Sequence, residues 1–153
     1  MPTVLAIETS CDETAVAILR RRNHQSDRRL ALSSSELLAS EVASQVAAHE
    51  KYGGVVPEIA SRNHLVDAPR LLKRATEIAK IDIREVEAFA ATSGPGLASS
   101  LMIGASIAKG LALGLGKPYL AINHLEGHLL SPFFEGGELR PNVSLIVSGG
   151  HTM

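Results

Sequence analysis

The feature that most constrains the fold of this chain is the alternation of short apolar runs with longer stretches of helical periodicity. Two runs of strand length, Val4–Ile7 and Ala15–Leu19, flank a short polar turn, which predicts a β-hairpin. Three further strand-length runs follow: Val86–Ala91, Pro118–Ile122 and Val143–Val147. Because helix-like stretches separate these later runs, the pattern predicts an α/β domain with a mixed β-sheet.

The helices are predicted from start signals and from the spacing of apolar residues. Pro57 followed by Glu58 marks a helix start. Pro69 lies inside that stretch and is expected to kink or split the helix. Two more helices are predicted over Leu97–Gly116 and His124–Phe134. The apolar face of the first helix is expected to comprise Ile59, Val66, Leu72, Ala75 and Ile78.

Two segments leave alternatives open. Arg20–Arg29 contains five arginines and is either a solvated hairpin tip or loop, or a basic patch for an RNA backbone. Leu30–Val46 is consistent with one strand or two, and it also has some helical periodicity.

Small residues mark two places of close packing. Gly104, Ala108 and Ala112 recur at four-residue spacing, so another element is expected to pack against this helix face. Ser93–Gly96 predicts a tight strand-to-helix turn, in which Pro95 removes one N–H from any anion-binding nest.

Length and charge bound the class of protein. A chain of 153 residues is one domain by length, and its net charge of −1 provides no global basic field for nucleic acid. Cys11 is the only cysteine, which excludes an internal disulfide and fits a reducing compartment. No basic leader precedes Thr3–Ile7, and Lys109 with several glycines interrupts the apolar stretch Leu97–Leu115. We therefore expect a cytoplasmic protein with neither a signal peptide nor a membrane span.

Two histidines four residues apart form a candidate metal site. On a helix, His124 and His128 would lie on one face and could reach one ion. Glu126 lies between them, whereas in zincins the glutamate directly follows the first histidine. Two imidazoles leave the ion under-coordinated, so at least one further ligand must come from elsewhere.

Two polar clusters beside apolar runs are candidates for nucleotide binding. Ser148-Gly-Gly150 follows a predicted strand, and paired glycines there let backbone N–H groups approach a phosphate. Asp12 and Glu13 lie in the hairpin turn, where they are either solvated or positioned to hold a metal or orient a nucleophile.

Five motifs occur in order along the chain: Ile7–Thr14, Tyr52–Arg62, Gly94–Leu97, His124–His128 and Val147–Thr152. Together they resemble the tRNA N6-adenosine threonylcarbamoyltransferase family, formerly described as O-sialoglycoprotein endopeptidases. The resemblance implies an actin-like ATPase fold of two lobes (ribonuclease H-like, of the sugar kinase and heat-shock type). It also implies that residues 1–153 form the first lobe and that the second lobe is absent from this chain.

The family resemblance also implies an activity and partners. Family members transfer threonylcarbamoyl from threonylcarbamoyl-AMP to the N6 amino group of the tRNA adenosine next to the anticodon. The implied partners are tRNA and other proteins of the pathway, which in bacteria are an actin-like paralogue and a small ATPase. A first lobe alone is expected to be inactive, because the second lobe supplies an aspartate metal ligand and further nucleotide contacts.

The resemblance assigns roles to several residues of this sequence. His124 and His128 match the family's metal ligands, which usually hold iron and sometimes zinc. Asp12 and Glu13 match acids near the nucleotide cleft and are candidates for catalysis. The expected contacts to ATP or threonylcarbamoyl-AMP are Ile146, Val147, Ser148, Gly149, Gly150 and His151.

Two other functions remain as alternatives. The older family description implies a metalloprotease, but the order of histidine and glutamate argues against it. Some actin-like paralogues serve as non-catalytic scaffolds, but the presence of both histidines argues against that role.

Overall fold

A computed structural model describes residues 2–21, 35–134 and 141–146 of the chain. Its sheet has five strands in the order β3-β2-β1-β4-β5. The first three strands pair antiparallel, whereas β1, β4 and β5 are parallel neighbours. The predicted hairpin and the mixed sheet are therefore confirmed. The strands are β1 Thr3–Glu8, β2 Glu13–Arg21, β3 Ser35–Ser44, β4 Ala88–Gly94 and β5 Tyr119–Asn123.

Four α-helices accompany the sheet in the described part of the chain. The two long ones pack against each other, α2 on β2 and β3, and α3 on β4 and β1. Short 3₁₀ turns cover Glu50–Tyr52, Ile83–Glu85 and Ser131–Phe133. The α-helices are α1 Val46–His49, α2 Pro57–Ala79, α3 Ala98–Leu115 and α4 His124–Leu130.

The core lies between the sheet and the two long helices, and it is mainly aliphatic. Burial alternates along β1, where Thr3, Leu5 and Ile7 are buried and the residues between them are half-buried. Phe89 on the interior strand β4 is fully buried and is the largest of the fully buried side chains. The period of two places one face of the sheet against the helices.

The predicted apolar face of α2 is confirmed only in part. Ala75 is buried, and Ile59 and Leu72 are half-buried. Val66 and Ile78, in contrast, are 72% and 47% exposed. The helix buries mainly small residues, which allow its backbone to approach the sheet and α3 closely. The buried residues are Ala60, His64, Ala68, Leu71 and Ala75.

Pro69 does not split α2, which continues through it from Pro57 to Ala79. A proline inside a helix costs about 3 kcal/mol because it removes a hydrogen bond and crowds the preceding turn. Ala68 and Leu71 are buried on either side of it, and Pro69 itself is exposed. Packing on both sides of the proline offsets this cost and holds the helix together.

Several other predicted bounds also change. Arg20 and Arg21 belong to β2 instead of a loop, because they pair with β3. The described part of Leu30–Val46 is a single strand, β3, and Val46 already begins α1. The third predicted helix ends at Leu130 and passes into the 3₁₀ turn Ser131–Phe133, since Pro132 has no N–H to continue the helical hydrogen bonds. The remaining arginines, Arg22, Arg28 and Arg29, lie outside the described residues.

Residues 143–146 do not form the predicted strand. Val143 is 101% exposed and Leu145 is 78% exposed. Strand geometry needs a neighbouring strand to satisfy its backbone groups, and none of the described strands pairs with this segment.

The small-residue face of α3 packs closely on the end of β1, as the spacing predicted. Gly104, Ala108 and Ala112 are buried, together with Ser100. Thr9 Oγ1 donates to the Ser100 carbonyl oxygen (2.8 Å) and accepts from Gly104 N–H (3.1 Å). The helix therefore has a notch at Gly104 into which the Thr9 side chain fits.

Of the described helices, α3 is the one whose length and apolar composition would suffice to cross a membrane. Those two properties are weak evidence, because a core helix of a soluble protein has them as well. In this structure the small-residue face of α3 packs on β1, β4 and α2.

A buried polar network fixes the hairpin turn to the helices. His64 is fully buried, and its Nδ1 accepts from Thr14 Oγ1 (2.8 Å) and Gln45 Nε2 (3.2 Å). Its Nε2–H donates to the carbonyl oxygen of Cys11 (3.1 Å). Gln45 N–H in turn donates to the carbonyl oxygen of Asp12 (2.9 Å). These partners require a neutral His64 ring with its hydrogen on Nε2.

The notch predicts different effects for two glycines of the same helix. A Cβ at position 104 would lie 2.5 Å from Thr9 Oγ1, whereas a Cβ at position 110 meets nothing within 4 Å. We expect Gly104→Ala to lower the free energy of unfolding by about 1–3 kcal/mol through overpacking. Gly110→Ala should raise it by about 0.5–1 kcal/mol, because alanine favours the helix. Urea denaturation measures both, and equal stability of the two variants would contradict the packing described.

The buried His64 predicts a loss of stability in mild acid. Burial lowers the pKa of His64 below its ordinary value of 6.5. Below about pH 6.5 the unfolded chain therefore binds a proton at His64 that the folded chain does not bind. The contribution of the neutral ring to the free energy of unfolding is complete above pH 6.5 and is lost as the pH falls. His64→Gln should flatten the dependence of the unfolding free energy on pH below about 6.5.

A spectroscopic readout covers the case in which His64→Gln does not fold. In a pH titration, the ¹⁵N NMR signals of His64 in the wild-type chain should change to those of a protonated ring with a midpoint below pH 6.5. A midpoint at or above pH 6.5 would show that burial does not disfavour the charge.

Candidate functional site

The candidate site lies where three parallel strands end. Because β1, β4 and β5 are parallel neighbours, their carboxyl ends meet at one edge of the sheet. The segments that follow these strands are the hairpin turn after Glu8, the Gly94–Leu97 turn and helix α4. Ligands of open α/β sheets bind at such an edge.

Asn123 begins α4 directly at the end of β5. Its side-chain oxygen accepts from the backbone N–H groups of Leu125 (2.9 Å) and Glu126 (3.3 Å). This N-cap satisfies donors that the first helical turn leaves unpaired. The cap therefore places His124 in the first turn of the helix, next to the other strand ends.

The two histidines of α4 form a pair suited to one metal ion. Their Nε2 atoms are 3.1 Å apart, and the ring planes are inclined by 81°. Metal–nitrogen bonds of about 2.0–2.1 Å separate two neighbouring imidazole nitrogens by about 3.0–3.4 Å. His124 and His128 thus fit as two ligands of one ion. The described residues include no group of three histidine, cysteine, aspartate or glutamate side chains that could complete such a site.

Glu8 is a member of the site that sequence reasoning missed. Its Oε1 accepts from Ser10 N–H, and its Oε2 accepts from Thr92 Oγ1. The same Oε2 lies 3.5 Å from His124 Nδ1, and Ser10 Oγ lies 3.1 Å from that nitrogen. Glu8 directly follows the apolar run Val4–Ile7, a signal that could have identified it.

Asp12 and Glu13 lie in the hairpin turn at the same edge of the sheet. Asp12 is half-buried, and its carbonyl oxygen accepts from Gln45 N–H (2.9 Å). Glu13 is exposed at the start of β2. Within the described contacts, neither carboxylate touches His124 or His128, so their expected catalytic role stays a prediction.

Cys11 is held as a thiol in the same turn. Although the residue is exposed, partial burial of its sulfur and the neighbouring Asp12 raise the pKa of Cys11 to about 11. The thiolate is the nucleophilic form of cysteine. Cys11 is therefore almost fully protonated at neutral pH and poorly reactive.

The Gly94–Leu97 turn is a packing turn, as the sequence predicted. A Cβ at Gly96 would lie 2.6 Å from the carbonyl oxygen of Ser10, and Leu97 N–H donates to that oxygen (2.8 Å). The Gly94–Pro95 peptide bond is cis. The turn thus packs directly against the backbone of Ser10, whose side chain contacts His124.

The predicted phosphate loop falls almost entirely outside the described residues. Ile146 is half-buried in an irregular segment. The role of this loop therefore stays a prediction. The members that lie outside the described part are Val147, Ser148, Gly149, Gly150 and His151.

Comparison with solved structures identifies the fold. YeaZ from Pseudomonas aeruginosa superposes with a TM-score of 0.56 at 21% identity, over 86% of this chain and 49% of that one. RuvC from Thermus thermophilus superposes with a TM-score of 0.50 at 14% identity, over 93% of this chain and 85% of that one. These likenesses confirm the predicted ribonuclease H-like, actin-like α/β fold.

Comparison with protein families and curated relatives shows which family the chain is part of. The family model for tRNA N6-adenosine threonylcarbamoyltransferase matches residues 36–153. Relatives of that name from Kosmotoga olearia and Trichlorobacter lovleyi are each 49% identical over 97% of this chain. The chain spans 42% and 40% of the length of these two relatives. With its motifs in family order and its fold matched, the chain belongs to the tRNA N6-adenosine threonylcarbamoyltransferase family.

Proposed function

We propose that this chain forms the first lobe of an enzyme that transfers threonylcarbamoyl from threonylcarbamoyl-AMP to tRNA. The acceptor is the N6 amino group of the adenosine next to the anticodon. The observation that carries the proposal is the His124–His128 pair, whose Nε2 atoms are 3.1 Å apart at the carboxyl ends of the parallel strands. Family membership supports the substrate class.

His124 and His128 would hold one divalent metal ion, with iron as the first expectation and zinc as the second. Such an ion acts as a Lewis acid that polarises a bound carbonyl group. The N-cap at Asn123 and the contacts of His124 with Glu8 and Ser10 hold this part of the site in place.

The transfer itself needs no nucleophilic side chain. The adenosine N6 forms a bond to the threonylcarbamoyl carbonyl carbon, the bond from that carbon to the phosphate oxygen breaks, and AMP leaves. The N6 nitrogen loses a proton in the process. Asp12 and Glu13 are the candidate groups to orient the amino group or accept that proton. The loop Ser148–Gly150 would bind the phosphate through its backbone N–H groups.

The proposed partners are tRNA and other proteins of the threonylcarbamoyladenosine pathway, in the cytoplasm. In bacteria these proteins would include an actin-like paralogue and a small ATPase. The curated relatives are more than twice as long as this chain. We therefore propose that the 153 residues alone do not complete the reaction.

A metalloprotease is less well supported than a transferase. Zincins activate water with the glutamate that directly follows the first histidine, and Leu125 occupies that position here. Glu126 is exposed, and it is not part of a cluster of three metal-ligating side chains in the described residues. A scaffold without catalysis is also disfavoured, since the imidazole pair retains a geometry suited to a metal.

The metal site is tested by titration of the 153-residue chain with Zn²⁺. We expect the wild type to bind one ion per chain, because the two Nε2 atoms are 3.1 Å apart. His124→Ala and His128→Ala should each reduce binding at least tenfold, whereas Glu126→Gln should not. Isothermal calorimetry and elemental analysis measure the result, and equal metal content in all four proteins would refute the site.

The activity is tested in the organism that carries the gene. Depletion of the protein should lower threonylcarbamoyladenosine in digested tRNA, as measured by mass spectrometry. A gene that encodes this chain together with the second lobe should restore it, whereas the same gene with His124→Ala, or the 153-residue chain alone, should not. Unchanged modification after depletion would contradict the proposed function.

The high pKa of Cys11 predicts slow alkylation at neutral pH. The rate with iodoacetamide should rise tenfold per pH unit and level off only near pH 11. Asp12→Asn should speed the reaction at pH 7.5, since the Asp12 carboxylate helps to raise the pKa of Cys11. Glu13→Gln removes a neighbouring charge that does not contribute and should leave the rate unchanged. Rapid alkylation of the wild type at pH 7.5 would contradict the raised pKa of Cys11 and would make this thiol a candidate nucleophile.

A further inference from the structure

One nitrogen of His124 faces two oxygens of the hairpin turn. Nδ1 lies 3.1 Å from Ser10 Oγ and 3.5 Å from Glu8 Oε2. The other ring nitrogen, Nε2, faces His128. The ring therefore presents one nitrogen to the protein and the other to the candidate metal position.

The charge of Glu8 decides which nitrogen of His124 carries the hydrogen. A lone pair on Nδ1 would point at a carboxylate oxygen 3.5 Å away and be repelled by it. A hydrogen on Nδ1 is attracted instead, and it can also be accepted by Ser10 Oγ. The neutral ring has only one N–H, so Nε2 is left with its lone pair.

Two hydrogen bonds hold the Glu8 carboxylate in place beside His124. Ser10 N–H and Thr92 Oγ1–H donate to its two oxygens. Only 34% of its side chain is exposed, and 27% of that of His124. Because β1 and β4 pair directly, the strand ends determine the position of this carboxylate.

We propose that Glu8 is a positioning residue that fixes His124 as the Nδ1–H tautomer and thereby presents the Nε2 lone pair to a metal ion. This inference rests on the proposed function in so far as it places a metal at the histidine pair. Hydrogen bonding of a ligand's second nitrogen fixes the ring and raises its basicity, and loss of such a partner commonly weakens metal affinity by about 10–100-fold.

The proposal has a consequence for His128. In the metal-free chain, His124 Nε2 is an acceptor, so the His128 Nε2–H must donate to it across 3.1 Å. A metal can bind both rings only after the His128 hydrogen has moved to Nδ1. Metal binding should therefore change the tautomer of His128 and leave that of His124 unchanged.

The first test is ¹⁵N NMR of the imidazoles in the metal-free chain at about pH 8, where histidines are ordinarily neutral. We expect His124 to be protonated on Nδ1 in the wild type. Glu8→Gln removes the negative charge, and its NH₂ group cannot accept from the Ser10 N–H or Thr92 Oγ1–H that now donates to the carboxylate. The preference of His124 for a hydrogen on Nδ1 should therefore be partly or wholly lost. Ser10→Ala should keep Nδ1–H, because the Glu8 carboxylate remains.

The second test is Zn²⁺ affinity by calorimetry, with thermal unfolding as a check on folding. Glu8→Gln should bind Zn²⁺ about 10–100-fold more weakly than the wild type. The matched control is Glu126→Gln, which removes the same charge from an exposed position on α4 and should not change the affinity. Addition of Zn²⁺ to the wild type should shift the His128 signals to the Nδ1–H tautomer.

The outcomes separate this inference from the proposed function. A wild-type His124 that carries its hydrogen on Nε2 overturns the inference, and so does an unchanged Zn²⁺ affinity in folded Glu8→Gln. If Glu8→Gln does not fold, the His124 tautomer in the wild type and in Ser10→Ala still tests the inference, which requires a hydrogen on Nδ1 in both. Absence of Zn²⁺ binding in a wild type with the Nδ1–H tautomer contradicts the proposed metal site, and with it the metal-presenting role of Glu8.

Discussion

Parallel pairing of β1 with β4, and of β4 with β5, is the constraint on which the site depends. These strands come from positions far apart in the chain, and their pairing aligns their carboxyl ends at one edge. Each strand delivers one polar side chain there: Glu8 from β1, Thr92 from β4 and the cap Asn123 from β5. A slip of one residue in any register would turn these groups to the opposite face of the sheet.

Close packing extends this alignment to the loops. Thr9 fits the notch at Gly104, and the Ser10 carbonyl oxygen lies against Gly96. Both contacts leave no room for a Cβ, so they hold the turn after β1 at one distance from α3. The contacts at Gly104 and Gly96 thus also position Ser10 and Glu8, which approach His124.

His64 and His124 differ in their surroundings, and this difference determines whether each ring can bind a ligand. His64 is fully buried, and this burial lowers its pKa and favours the neutral ring, while its hydrogen-bond partners place the hydrogen on Nε2. His124 is partly exposed, and only one of its nitrogens faces protein acceptors. The first therefore stabilises the turn, whereas the second is left with a nitrogen that can bind a ligand.

The sequence by itself determined the features that depend on local spacing. The hairpin, the helix start at Pro57, the small face of α3 and the four-residue spacing of His124 and His128 all follow from periodicity along a short segment. The structure corrected the prediction where this signal was absent or incomplete. Alanines carry little hydrophobic signal, so the buried face of α2 was identified only in part. The run at residues 143–146 has no described strand with which to pair.

Only the tertiary structure decided which of the polar residues act together. Glu8 and Thr92 are 84 residues apart in sequence, and Ser10 and His124 are 114 apart. No periodicity within one segment encodes such a contact. It arises because backbone pairing between distant strands and the shape of a close-packed helix bring these groups to the same edge of the sheet, where a carboxylate can determine which nitrogen of an imidazole is free.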